Sequence, residues 1–325
     1  MELPTAGGPI DSGALGRTLI HEHVFVMTTE VQANFKTDWD EEKNVADAIA
    51  KLTALKAAGI DTIADPTVIG LGRYIPRIVE IAKQVDINII VATGVYTYND
   101  VPKYFRLRGP FLPGIDAPDP MVDMFVTDIT EGIADTGVRA AFLKCAIDEE
   151  GMLPGVERVL RAVAKAHLQT GAPVMVHTHP GTHRGLEVHR VLQEEGVDPT
   201  AVCLAHSGDS GDADHLSQLA EHGYLLGMDR FGVDAYLPFD KRVGMVAELI
   251  RRGFGDRMAL AHDASCYFDW VEPSFLKAAP NWNYLHISQD VLPALRELGV
   301  TAAEIDTLLV DNPRRWFETA ARKPA

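Results

Sequence analysis

The chain has 325 residues, 46% apolar and 7% aromatic, enough for a large core within the size of one α/β barrel. Its formal net charge of -16 excludes a basic face for nucleic acid and disfavours an anionic membrane surface, which leaves a neutral or apolar small molecule as the fitting partner. Cys145, Cys203 and Cys266 make no disulfide framework; with no leader-like N-terminus and no run of about 18 apolar residues, the chain reads as cytoplasmic.

The first apolar run, Leu15–His23, ends in His21-Glu22-His23. Residues two apart on an extended segment share a face, so the two imidazoles project together while Glu22 points the other way. Glu41–Ala58 places Val45, Ile49, Leu52 and Leu55 at helical spacing, with Gly59 as its stop. Apolar runs over Thr62–Val68, Asn88–Tyr98 and Ala140–Ala146 follow, the last carrying Lys144. Between them, Gly109–Pro120 is rich in turn formers and predicts a surface loop. Val156, Leu160, Val163 and Ala164 repeat the helical spacing before Gly171, and Val243, Val246, Leu249 and Ile250 repeat it before Gly253. Four further runs complete the series: Val174–Thr178 with His177, Ala201–Ser207 with His206, Tyr224–Arg230, and Met258–Asp263 ending on Asp263. Ser265–Tyr284 exceeds an ordinary βα connection and holds Tyr267, Phe268, Trp270, Phe275 and Trp282, which predicts a substrate lid or a subunit contact.

Eight continuous apolar runs separated by amphipathic helices predict a parallel sheet buried on both faces, closed as a (β/α)8 TIM barrel in one domain over 1–325. An open doubly wound sheet does not bring together ligands from first, middle and last strands. At the C-terminal mouth of a barrel, His21, His23, Lys144, His177, His206 and Asp263 converge on a binuclear metal centre. Lys144 is the odd member, because an ammonium cannot ligate a cation. Alone it would read as a lysine snorkelling to water; among these histidines it reads as a carbamate whose oxygens bridge two metals. His179 falls in a loop, and His262 faces away from the axis if Asp263 faces in. His167, His189, His215 and His222 lie on predicted helices facing solvent, and His183 and His286 stay unassigned.

These residues resemble the phosphotriesterase branch of the amidohydrolase superfamily, most closely the phosphotriesterase-like lactonases, over nearly the whole chain. The resemblance rests on His21-Glu22-His23, Phe142-Leu143-Lys144-Cys145, Val176-His177-Thr178, Ala205-His206-Ser207-Gly208-Asp209 and Ala261-His262-Asp263. It extends to Thr93-Gly94-Val95-Tyr96-Thr97-Tyr98, Gly227-Met228-Asp229-Arg230-Phe231-Gly232-Val233-Asp234 and Asp311-Asn312-Pro313. It implies a carboxylated Lys144 bridging two metals, the more buried held by His21, His23 and Asp263 and the more exposed by His177 and His206. It also implies that Tyr98 and Arg230 bind substrate near the lactone ring, although by residue type alone they read equally as a core hydroxyl and a surface cation. Cys266 and Trp270 match positions lining an acyl-chain channel, whereas Ala264-Ser265 depart from the tyrosine or cysteine of family members. A homodimer is a further implication.

The chemistry expected from such a site is hydrolysis by a water that two cations about 3.5–4 Å apart hold as hydroxide. Asp263 is the expected proton shuttle, and Tyr98 an added donor to the oxyanion. Zinc, cobalt, iron and manganese all accept these ligands. The resemblance favours N-acyl-homoserine lactones, whose hydrolysis is quorum quenching; aliphatic γ- and δ-lactones fit equally, with slow phosphotriester hydrolysis as a secondary activity. Primary hydrolysis of aryl-dialkyl phosphotriesters is the alternative. A Schiff-base aldolase using Lys144 leaves the histidines unexplained, and a non-catalytic metal-stabilised scaffold would want a closed site.

Overall fold

Parallel strands β1 (Thr18–Leu19), β2 (Thr62–Asp65), β3 (Asn88–Gly94), β4 (Phe142–Ile147), β5 (Val174–Thr178), β6 (Val202–Ala205), β7 (Leu225–Met228) and β8 (Met258–Leu260) form one sheet in sequence order. The structure is a computed structural model that describes residues 1–110 and 117–321. The first and last strands meet where the Ile20 N–H donates to the Leu260 carbonyl at 3.4 Å. Towards the mouth, His23–Val26 pairs in parallel with Ser265–Phe268 and carries the seam beyond the sheet. The result is the expected (β/α)8 TIM barrel.

Each strand is buried on both faces, and residue parity decides what each face sees. Ile89, Val91, Leu143, Cys145, Val174, Val176, Val202 and Leu204 pack in one cluster with the surrounding helices. Ile90, Ala92, Phe142, Met175, Cys203, Ala205 and Ala259 belong to a second cluster, which fills the barrel lumen. Since side chains alternate along a strand, Lys144 follows Phe142 into the lumen and His177 follows Met175. The N-terminal end is stopped by the Asn312–Phe317 helix: Trp316 and Phe317 lie 5.5 and 6.0 Å from the Phe142 ring, and Trp316 Nε1 donates to the Ala201 carbonyl. The opposite, C-terminal end is left for the site.

The helices follow their sequence signals closely. Glu41–Ala57 is capped by Asp40, which accepts from the Lys43 N–H at 3.0 Å, and it buries Leu52 and Leu55. Pro154–Thr170 ends at Gly171, whose φ of 76° is left-handed and suits a residue without a side chain. Phe239–Arg251 covers the third predicted pattern. No helix among the described residues is long and apolar enough to cross a membrane.

Two expectations change. His167 and His215 are buried rather than solvent-facing: His167 Nδ1 bonds the Ala172 carbonyl at 2.8 Å, and His215 stacks on His183 at 4.0 Å, so each imidazole seals a gap between helix and loop. His222 is exposed and His189 half-buried. Ser265–Tyr284 is not one loop but holds the Ser265–Phe268 strand and a Pro273–Ala278 helix, because an apolar run beside His23–Val26 finds a partner there. Within the predicted loop Gly109–Pro120, residues 111–116 lie outside the described residues.

Candidate metal centre

All six predicted ligands converge at the C-terminal mouth. Asp263 Oδ1 lies 3.2 Å from His21 Nε2 and 3.2 Å from His23 Nε2. His21, His206 and Asp263 each offer one ligand atom within 4.8 Å of the others. His177 Nδ1 faces His206 Nε2 at 2.8 Å. The Lys144 amine lies buried in the same cavity with no hydrogen-bond partner among the described residues.

The outer nitrogen of each imidazole is tied down, and that fixes what the inner one presents. Asp229, wholly buried, accepts from His21 Nδ1 at 2.9 Å through Oδ2, and from His206 Nδ1 and the His206 N–H through Oδ1 at 2.9 and 2.8 Å. His23 Nδ1 meets Thr67 Oγ1 at 2.7 Å, and Asp148 holds His177 Nε2. With the protons of His177 and His206 on the sides facing these carboxylates, two lone pairs oppose each other at 2.8 Å. Two imidazole lone pairs and a carboxylate oxygen aimed at one space, beside an unpartnered amine, fit divalent cations far better than they fit one another. Carboxylate–imidazole pairs behind the ligands are the usual means of fixing tautomer and ring orientation at such centres.

Charge follows the same layout. Burial lowers His21 and His206 and takes His177 down to about 4, so these rings are neutral donors at pH 7. Burial also acts downwards on His23, but Asp263 and Asp65 outweigh it and raise His23 to about 9. Lys144 is lowered to about 8 by burial, against the pull of Asp263 and Asp229. Burial alone would raise Asp263, yet His21, His23, His206 and Arg230 hold it well below the carboxylate range.

His206, Arg230 and Asp263 lie one, two and three residues beyond the ends of β6, β7 and β8, and all three adopt left-handed backbone with φ of 65°, 58° and 54°. For residues with a Cβ this costs about 1–3 kcal/mol each and persists only where the surroundings enforce it. The turn aims each side chain back over the strand ends. Arg230 thereby reaches Asp263 Oδ2 through Nε at 3.2 Å and Asp209 Oδ2 through Nη1 at 3.1 Å, while Arg242 fixes Asp209 from behind.

Above the ligands lies a cavity of about 250 Å³ with a polar floor and an apolar wall of Phe268, Trp270, Val271, Phe275 and Trp282. Tyr98, Arg230 and Trp270 line it. Cys266 does not: its side chain is buried, Sγ lying 3.2 Å from the Tyr284 hydroxyl, and it borders the neighbouring cleft instead. Sequence reasoning also passed over Tyr96, the hydroxyl that reaches His177 Nδ1 at 3.0 Å, with Tyr98 bonded behind it. Both tyrosines share one face at the end of β3, and nothing in their spacing ranks them. The sequence reading gives Asp229 no role; its place one residue past β7, with the lumen-facing parity of Leu225, is the available signal.

The family model described as the Phosphotriesterase family matches residues 1–317. A phosphotriesterase homology protein of Mycobacterium tuberculosis is 58% identical over 319 residues, covering 98% of this chain and 98% of its own. An aryldialkylphosphatase of Saccharolobus solfataricus is 37% identical over 321 residues, 98% of this chain and 100% of its own. The solved structure of the phosphotriesterase from Mycobacterium tuberculosis superposes with a TM-score of 0.96 at 58% identity, covering 98% of this chain and 99% of that one.

Proposed function

The chain belongs to the phosphotriesterase family, metal-dependent hydrolases of ester bonds that use a binuclear divalent centre, and we propose that within it this protein is a lactonase. Its substrates are N-acyl-homoserine lactones and aliphatic γ- and δ-lactones, with phosphotriester hydrolysis secondary. The observation that carries this reading is the two-sided cavity: hydroxyl and guanidinium donors at the floor, and an aromatic wall from the last βα connection. A ring ester with an aliphatic tail has that same division, whereas a phosphotriester carries three arms of similar character.

One divalent ion would be held by His21, His23 and Asp263 and the other by His177 and His206, and Lys144, carboxylated on its buried amine, would serve as a ligand to the pair. Zinc, cobalt, iron and manganese suit this donor set. When bound, the pair supplies a water acidified to hydroxide and a Lewis acid for the carbonyl oxygen. The protein does the rest. The Tyr96–Tyr98 hydroxyl pair donates to the substrate carbonyl, and Arg230 orients the lactone ring beside Asp263. Asp263 Oδ2, on the open side of the site, takes the proton of the attacking water. As the ring C–O bond breaks, that proton passes to the leaving oxygen, and a hydroxy acid is released. Trp270 bounds the tail, and Cys266 acts from behind the wall. The exposed Val31, Phe35 and Leu276 near this wall suit a second copy of the chain, and we retain the homodimer.

The second reading, primary hydrolysis of aryl-dialkyl phosphotriesters, is favoured by the name of the Saccharolobus relative. The aldolase reading of Lys144 has no support in a family of metal-dependent hydrolases. Metal analysis of the purified protein, followed by acid-release rates on acyl-homoserine lactones, alkyl lactones and an aryl phosphotriester, tests the proposal. Lactone rates are expected to lead. A triester rate above every lactone rate reverses the ranking.

A further inference from the structure

The middle residue of His21-Glu22-His23 has no place in the centre itself, yet it is wholly buried. Its Oε1 accepts from the His262 backbone N–H at 2.7 Å and from His262 Nδ1 at 2.7 Å, and its Oε2 accepts from the Ala264 N–H at 3.1 Å. The amide between these two, that of Asp263, donates to the His21 carbonyl at 3.0 Å. Thus three consecutive N–H groups around Asp263 are all taken up by His21-Glu22. The His262 carbonyl is held in turn by Trp282 Nε1 at 2.9 Å.

The tautomer of His262 follows from its other contact. Nε2 lies 2.9 Å from the Ile287 N–H and must accept, so the proton sits on Nδ1 and points at Glu22. Ile287 opens a π-helical turn, Ile287–Val291, an irregularity of the kind that concentrates at functional sites. Glu22 therefore faces three donors and needs a group with acceptors only. Asp263, at the centre of this grip, is the residue with left-handed backbone at φ 54°.

We infer that Glu22 is a positioning residue: with His262 as its brace, it holds the strained Asp263 turn so that the carboxylate meets His21 and His23. The inference rests on metal-dependent hydrolysis by this centre and not on the lactone preference, so any ester that the wild type turns over serves as probe.

Glu22→Gln keeps the volume but turns an amide NH2 towards a donor. In the metal-loaded protein it is expected to lower kcat about 10- to 100-fold, the usual range for groups behind metal ligands, with KM changed less than threefold. The cobalt-substituted variant is expected to show a shifted visible d–d spectrum, since the Asp263 carboxylate moves. Full wild-type kcat with an unshifted cobalt spectrum overturns the inference, whereas a wild type that takes up no metal overturns the reading of the centre instead. His262→Asn, which keeps an N–H towards Glu22, and His262→Leu, which does not, decide the matter where Glu22→Gln does not fold. Asn is expected to restore most of the kcat and the wild-type cobalt spectrum relative to Leu; equal losses in both overturn the inference.

Discussion

Asp263 sits between two demands. One oxygen lies 3.2 Å from both His21 Nε2 and His23 Nε2, and the other faces the Arg230 guanidinium and the cavity. The first contact is shared by bound substrate and transition state, while the second becomes important only as protons move. Asp263→Asn preserves size and one acceptor but cannot carry a proton, so it removes an interaction made in the transition state. We expect kcat to fall by about 10²- to 10⁴-fold, the range for a lost acid–base group, with KM within a few-fold of wild type. Steady-state kinetics at matched metal content checks this; a variant with wild-type kcat would deny Asp263 the proton-transfer role.

At the scale of strands and turns, the contact between β3 and β4 decides where Lys144 stands. Gly94 pairs in register with Lys144, and its φ of 152° lies at the edge of the glycine region. A Cβ there would sit 1.8 Å from the Lys144 carbonyl oxygen, a backbone atom that cannot swing away. Gly94→Ala must part the two strands at the position that presents Lys144 to the site. We expect a stability loss of about 1–3 kcal/mol, the range of overpacked cores, together with sub-stoichiometric metal. Urea unfolding and metal content measure both, and an unchanged midpoint with two metals bound would show that the strands yield freely. This element level was the most legible in the sequence. Continuous apolar runs that carry a His, Lys or Asp in their C-terminal part can be read without a structure, because a strand buried on both faces is otherwise apolar and a lone polar residue stands out in it. Asp229 and Glu22 were not legible as partners, since what makes them matter is closure of the barrel, which sets β7 against β6 and β8 against the first strand. Cys266 failed for a related reason: next to Ser265 in a paired strand it points to the opposite side, towards Tyr284. The tyrosines at 96 and 98 share a parity, and only the bend after β3 puts one of them against His177.

For the molecule as a whole, the buried imidazoles link stability to pH once the metals are removed. Burial lowers His21 and His206 and brings His177 to about 4, while in the unfolded chain each titrates near 6.5. As pH falls below 6.5 the unfolded chain therefore takes up protons that the folded chain refuses, and stability present above 6.5 is lost towards 4. For His177 alone the loss approaches about 3 kcal/mol at the acid end, at about 1.4 kcal/mol per pH unit. His167 and His215, also lowered by burial, act in the same sense. His23 acts oppositely: raised to about 9, it contributes fully below 6.5 and loses that contribution as pH rises through 9. Lys144, lowered to about 8, costs most below 8 and is relieved towards its ordinary value near 10.5. Neither opposes the acid-side loss, and Asp229 and Asp263, lowered in the folded chain, add to it as pH falls through the unfolded carboxylate value near 3.8. Chelator-stripped protein should thus melt progressively lower from pH 6.5 to 4.5. His177→Asn should flatten that slope, and metal-loaded protein should melt higher throughout, because ions that bind only the folded chain stabilise it by mass action. Scanning calorimetry of the stripped protein across this window is the check, and a midpoint that stays level between pH 6.5 and 4.5 would mean that the imidazoles are not held neutral by their burial.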